Sequence, residues 1–117
     1  LGGVGFEEMP QLYQSVDAVL MPTVREGDSL VILEAMSCGL PVVATDCSSL
    51  SERIEHGKGG FLCDIGDVNH FASSIDALRD VGVRKEMGRF NRDRALREFS
   101  VELMAMRYAE LFADICA

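Results

Sequence analysis

Apolar positions along this chain follow two different spacings. Three short runs, Ala18 to Met21, Pro41 to Thr45 and Gly60 to Cys63, are continuous and bounded by turn-forming residues, the pattern of strands buried on both faces. Between them the spacing is helical, and helices are predicted over roughly Glu8 to Ser15, Ser29 to Cys38 and Leu50 to Glu55. Strand alternating with helix predicts a parallel sheet of βαβ units covered on both faces. After Cys63 the strands stop, and helical periodicity runs over about Val68 to Leu78, Val83 to Glu98 and Val101 to Ile115. In the last of these, Val101, Met104, Tyr108, Leu111, Phe112 and Ile115 share one face. Such a stripe serves as a cofactor or membrane surface in some proteins, but the usual use of an amphipathic face is packing, so this helix is expected to lie on the body. Asp67 and Ser100 are the expected N-caps of the first and last of these helices.

Composition narrows the class. With 117 residues, 48% hydrophobic and 26% charged, the chain has the make-up of one globular domain with its own core. A net charge of −8 argues against nucleic-acid binding through a basic surface, yet leaves room for a small phosphate held by backbone N–H groups at a helix start. Cys38, Cys47, Cys63 and Cys116 form no CxxC pair, and His56 and His70 lack ligand spacing, so no metal site is expected. Cys38 and Cys63 lie in apolar runs and read as small core residues of a reducing, cytoplasmic compartment. No apolar stretch is long enough to span a membrane. The opening Leu-Gly-Gly carries neither Met nor a signal peptide and reads as a cut.

The candidate chemistry concentrates between Pro22 and Pro41, a strand exit, a polar turn and a helix that stops at Gly39-Leu40-Pro41. Asp28 or Ser29 is the natural N-cap, which places the N–H groups of Leu30, Val31 and Ile32 at the mouth of the turn. In a parallel α/β sheet that mouth lies at the carboxyl end of the strands, where ligands bind, and phosphate is the expected guest. Glu34 is the only ionisable residue from Leu30 to Cys38 apart from the cysteine itself. It lies too deep in the helix for a capping box, and its side chain leans back toward the helix start. A carboxylate there suits paired ribose hydroxyls. The competing readings are a solvent-exposed helix face or an ion pair with an Arg of the fold. Glu26 lies eight residues earlier in the turn, beside Gly27, where a missing side chain permits close approach of a ligand to backbone. Taken alone, Glu26 reads first as an exposed loop charge.

The string from Glu26 through Glu34 to Thr45 resembles the E-x7-E signature region of family 4 (group 1) glycosyltransferases, enzymes of the GT-B fold. Upstream, Glu7 to Tyr13 and Asp17 to Pro22 resemble that family's approach to the signature. Downstream, Asp46 to Ile54, Gly57, Gly60 to Leu62, Gly66-Asp67 and Glu98 to Ser100 resemble its later turns and closing helices. The resemblance implies that residues 1–117 form a single partial domain, the C-terminal nucleotide-sugar-binding half of the enzyme, with a Rossmann-like sheet. It implies a retaining, metal-independent transferase without a cofactor, using a UDP-, GDP- or ADP-sugar donor. Glu34 would hold the ribose, Glu26 would contact the donor sugar as the catalytic residue, and the segment Gly27, Asp28, Ser29, Leu30 and Val31 would bind sugar or diphosphate. The acceptor, a sugar or glycolipid, would come through an N-terminal domain that this chain lacks, and the full enzyme is compatible with peripheral membrane association.

Two departures from the family pattern stand out. Asp28-Ser29 replaces the frequent Phe-Gly, putting a carboxylate near a diphosphate unless Asp28 caps the helix or meets a sugar hydroxyl. Ser48-Ser49 replaces the common Gly-Gly, which should alter the adjoining turn. The first three strands of the domain are expected to be missing, with the basic residues that face the diphosphate; Arg25 and Lys58 are the nearest local cations and read as solvated. In a sheet of order 3-2-1-4-5-6 the strand at Ala18 to Met21 would then become an exposed apolar edge, and the isolated chain would be marginally stable. Two function classes follow: an inactive piece of a glycosyltransferase, or a stand-alone binding and assembly module that recruits a partner chain through that edge. A generic dinucleotide-binding fold is disfavoured, since no G-x-G-x-x-G follows any strand.

Overall fold

The computed structural model describes residues 2–117. Its centre is β2 (Val42–Thr45), every residue of which is buried. A Val-Val-Ala-Thr strand has no polar face to offer water, so it needs cover on both sides and neighbours on both edges. It has both: β1 (Val19–Met21) and β3 (Gly60–Cys63) pair with it in parallel, in the order β1-β2-β3. Val42 and Ala44 face a core shared with Ile32, Met36, Leu50 and Ile54, whereas Val43 faces Cys63, Leu78 and Met87. The period-two alternation of a strand thus feeds two separate cores.

Among the described residues six α-helices accompany the sheet: α1 (Met9–Gln14), α2 (Leu30–Ser37), α3 (Leu50–Arg53), α4 (Val68–Ala77), α5 (Val81–Glu98) and α6 (Val101–Cys116). The expected α/β architecture of a parallel sheet with helices on both faces is therefore present. Some boundaries differ. A single 3-10 turn, Phe6–Glu8, precedes α1, and α5 begins at Val81, two residues earlier than predicted, because Asp80 accepts from Val83 N at 3.1 Å and caps the segment despite Gly82. Asp67 and Ser100 cap α4 and α6 as expected, through His70 N at 2.9 Å and Leu103 N at 3.2 Å.

α2 ends where the glycine predicted. Gly39 takes φ +73, its N–H reaches Met36 O at 2.9 Å, and Leu40 N reaches Ala35 O at 3.0 Å, the paired bonds of a Schellman stop. α5 crosses this turn closely, and a Cβ on Gly88 would overlap the Gly39 carbonyl oxygen. Nearby, the buried Asn91 amide donates to Leu40 O at 2.8 Å and to Gly59 O at 2.6 Å. One side chain thereby pins the starts of both β2 and β3.

The expectation for the last helix is not met. No residue of α6 is buried, and Val101, Met104, Tyr108, Leu111, Phe112 and Ile115 are 51 to 69% exposed. The radius of gyration, 15.7 Å, exceeds the ~13.4 Å of a compact chain of this length. Amphipathic spacing shows that a face needs a partner, but not that the partner belongs to the same chain. Cys63 is fully buried, as its run implied, while Cys38 is only half-buried. β1 is an edge strand among the described residues, and Leu20 is 48% exposed.

Candidate functional site

The turn between β1 and α2 is shaped by hydroxyls reaching across from the next crossover. Thr45, at the end of β2, donates to Thr23 O, and Ser49 donates to Gly27 O. Ser48 sits at φ +48, a left-handed conformation that glycine adopts without strain and other residues adopt at a cost of about 1 kcal/mol. Ser48 thus takes a conformation that suits glycine, and Ser49 supplies a hydroxyl that anchors the turn. Gly27 is exposed, with no atom within 4 Å of where a side chain would begin, so its backbone is open to a ligand.

Ser29, not Asp28, is the N-cap of α2: its Oγ accepts from Ile32 N at 3.4 Å. This corrects the expected set of three open amides, because Ile32 is occupied by the cap. Among the described residues the N–H groups of Leu30 and Val31 donate to no acceptor, and they carry the partial positive charge of the helix start. Asp28 instead points to Arg53, whose Nη2 lies 2.6 Å from Asp28 Oδ1. The cation that pairs with the turn is therefore Arg53, 25 positions away, whereas Lys58 pairs with Glu55 at 2.5 Å.

Glu34, one turn into α2, is half-buried, and its Oε2 accepts from the Tyr13 hydroxyl at 2.8 Å. Neither competing reading from the sequence holds: the carboxylate is not free in solvent, and its partner is a tyrosine rather than an arginine. Burial, with the hydrogen bond and charge of Glu34 adding to it, holds the Tyr13 hydroxyl well above the usual tyrosine range. The phenol therefore stays a donor, and it orients one carboxylate oxygen while leaving the other for a ligand. The two residues share a hollow of about 450 Å³ with Met9, Pro10, Leu30 and Leu33. This largely apolar recess, which Glu7 also lines, is large enough for a nucleoside.

The predicted site residues do not all meet in that hollow. Glu34 and Leu30 line it, whereas Asp28 and Leu30 line an adjoining groove of about 370 Å³ with Arg53, Phe99 and α6. Glu26, Gly27, Ser29 and Val31 line neither. Glu26 is half-buried and makes no ion pair among the described residues. Tyr13 and Arg53 were missed as site residues. Tyr13 lies 21 positions from Glu34 and has the look of a core aromatic, while Arg53 ends a helix too short to show a pattern. Among the described residues no three His, Cys, Asp or Glu side chains converge as a metal site would require, and no helix is long and apolar enough to cross a membrane.

Known proteins resemble this chain in sequence and in fold. The family model described as "Glycosyl transferases group 1" matches residues 1–80. The chain is 31% identical over 110 residues to N-acetyl-alpha-D-glucosaminyl L-malate synthase of Bacillus anthracis, covering 93% of this chain and 29% of that protein. It is 41% identical over 83 residues to D-inositol 3-phosphate glycosyltransferase of Paenarthrobacter aurescens, covering 70% of this chain and 20% of that protein. Among solved structures, sucrose-phosphate synthase of Thermosynechococcus elongatus superposes with a TM-score of 0.92 at 27% identity, over 98% of this chain and 29% of that one. HepE of Anabaena, solved in complex with UDP, gives a TM-score of 0.86 at 31% identity, over 92% of this chain and 30% of that one. The chain thus spans 20 to 29% of the length of these two curated relatives. A family match over residues 1–80, together with the same fold in solved relatives, places this chain in the group 1 glycosyl transferases.

Proposed function

We propose that this chain forms the nucleotide-sugar donor half of a retaining, metal-independent glycosyltransferase of family 4, with Glu26 and Glu34 as the two acids of an E-x7-E signature. The observation that carries the reading is the Tyr13-held carboxylate of Glu34 in a nucleoside-sized hollow, one helical turn from the open N–H groups of Leu30 and Val31. In this reading the free oxygen of Glu34 takes the ribose hydroxyls, the open amides take the diphosphate, and Glu26 and the exposed backbone of Gly27 face the sugar. As the bond from the anomeric carbon to the diphosphate breaks, positive charge grows on the sugar and negative charge on the leaving group. Catalysis then rests on fixed amides that stabilise the departing diphosphate and on positioning of the acceptor, which attacks from the same face. HepE solved with UDP and with UDP-glucose supports a donor of this class.

The test is calorimetric and kinetic, in the protein that carries this chain, with a panel of UDP, GDP and ADP sugars. Glu34→Ala should weaken donor binding by about tenfold or more, the effect of losing a charged hydrogen-bond partner. Glu26→Ala should mainly lower kcat. Unchanged constants in both variants would sink the assignment.

A second reading, an assembly module that recruits a partner chain, draws on the open edge of β1 and the bare stripe of α6. Reading the coding sequence upstream of Leu1 separates the two: a continuous frame that supplies an acceptor domain supports the enzyme, and a start codon just before Leu1 supports the module.

A further inference from the structure

We propose that Arg53 balances and positions the charge of the donor loop, neutralising Asp28 so that a diphosphate can settle on the open amides of α2. The proposal rests on the donor-site reading of that loop. Asp28 stands directly before the Ser29 cap, yet it does not cap the helix. Left alone, its carboxylate would be attracted to the amides of Leu30 and Val31, as any anion at a helix start is, and would repel a phosphate approaching them.

Arg53 prevents both. Its Nη2 and Nε donate to Asp28 Oδ1 at 2.6 and 3.2 Å, drawing the carboxylate toward the junction of α5 and α6. The guanidinium is itself held in place. It lies 4.8 Å from the centre of the Phe99 ring, which Arg94 also approaches at 5.4 Å. Arg94 Nη1 donates to Arg53 O at 2.6 Å and Nη2 to Glu52 O at 3.0 Å, while its Nε is held by Glu98 at 3.0 Å. The Arg53 side chain is 22% exposed and that of Asp28 64%, so the cation is fixed by its packing while the carboxylate stays open to solvent and its pairing is sensitive to salt. A carboxylate beside the phosphate mouth is thus tolerated because a cation arranged through Phe99 and Arg94 cancels it. Arg53 acts through Asp28 and touches no substrate in this arrangement.

The experiment is UDP binding to the protein by calorimetry at low and high salt. Arg53→Ala should weaken UDP on the order of tenfold at low salt, the size of one uncancelled charge near the diphosphate, and the loss should shrink as salt rises. Arg53→Lys should recover part of it. The double variant Asp28→Ala with Arg53→Ala should return to within about twofold of the wild type, because both charges are gone. Asp28→Asn, which keeps Arg53 and its support, should bind UDP more tightly than the wild type; this variant decides the matter even where Arg53→Ala misfolds. A double variant as weak as Arg53→Ala would show Arg53 holding the diphosphate or the fold directly, and would overturn the proposal, as would weaker binding by Asp28→Asn or unchanged binding by Arg53→Ala. A wild type that binds neither UDP, GDP nor ADP would instead remove the donor-site reading, and this inference with it.

Discussion

Glu34 divides its carboxylate between a phenol on another element and an open hollow, so Tyr13 is the residue whose loss should be most informative. Tyr13→Phe keeps the packing and removes the hydrogen bond, with an expected loss of about 1 kcal/mol, measured by denaturant unfolding. The pH dependence follows from the raised Tyr13 value. In the unfolded chain the hydroxyl ionises near 10, and in the folded chain above that. Its stabilising contribution is therefore fully present below about pH 10 and is lost as pH rises beyond that point toward the folded value. Wild type should lose stability more steeply than Tyr13→Phe in that range; parallel curves would contradict the linkage. Glu34 was legible in the sequence because a lone carboxylate among Leu, Val, Ile, Ala and Met demands a partner. The partner was not, since nothing local distinguishes a tyrosine that holds a carboxylate from one that fills a core.

At the level of elements, the strands and crossover helices were legible because continuous apolar runs and glycine stops are short-range signals. The close crossing of α5 over the end of α2 was not, since it depends on Gly88 and Gly39 meeting across 49 positions of sequence. Gly88→Ala should push α5 off the turn and destabilise the protein by about 1–3 kcal/mol or more, the range for overpacking against backbone. Gly39→Ala acts differently. Its added Cβ finds ordinary contacts, the nearest at 3.6 Å, and the cost comes from φ +73, about 1 kcal/mol. Thermal unfolding of the two variants should rank Gly88→Ala as the more damaging, and the reverse order would mean that the helices part more easily than their packing suggests. The misjudged α6 belongs at this scale too: periodicity identified its apolar face correctly and left open what the face meets.

Over the whole molecule, the bare stripe of α6 and the open edge of β1 leave apolar surface at two separate places, and such surface favours association in water. The 117-residue chain by itself should sediment as concentration-dependent oligomers. Replacing Leu111 and Phe112, both more than half exposed, by Ser should lower that tendency without lowering the melting temperature, because neither side chain supports a core; a fall of several degrees would show that α6 contributes to the fold. The two ends of the sheet differ in another way. At one end Asn91 ties Leu40 and Gly59 to α5, while at the other the turn around Gly27 hangs on a few hydroxyls and one ion pair. Mutation therefore meets two unlike rims: a change at the Asn91 end strains the frame, whereas the far rim can accept a newcomer such as Asp28 when a single neighbour answers it. One frame can in this way revise a single turn while the strands beneath stay as they were.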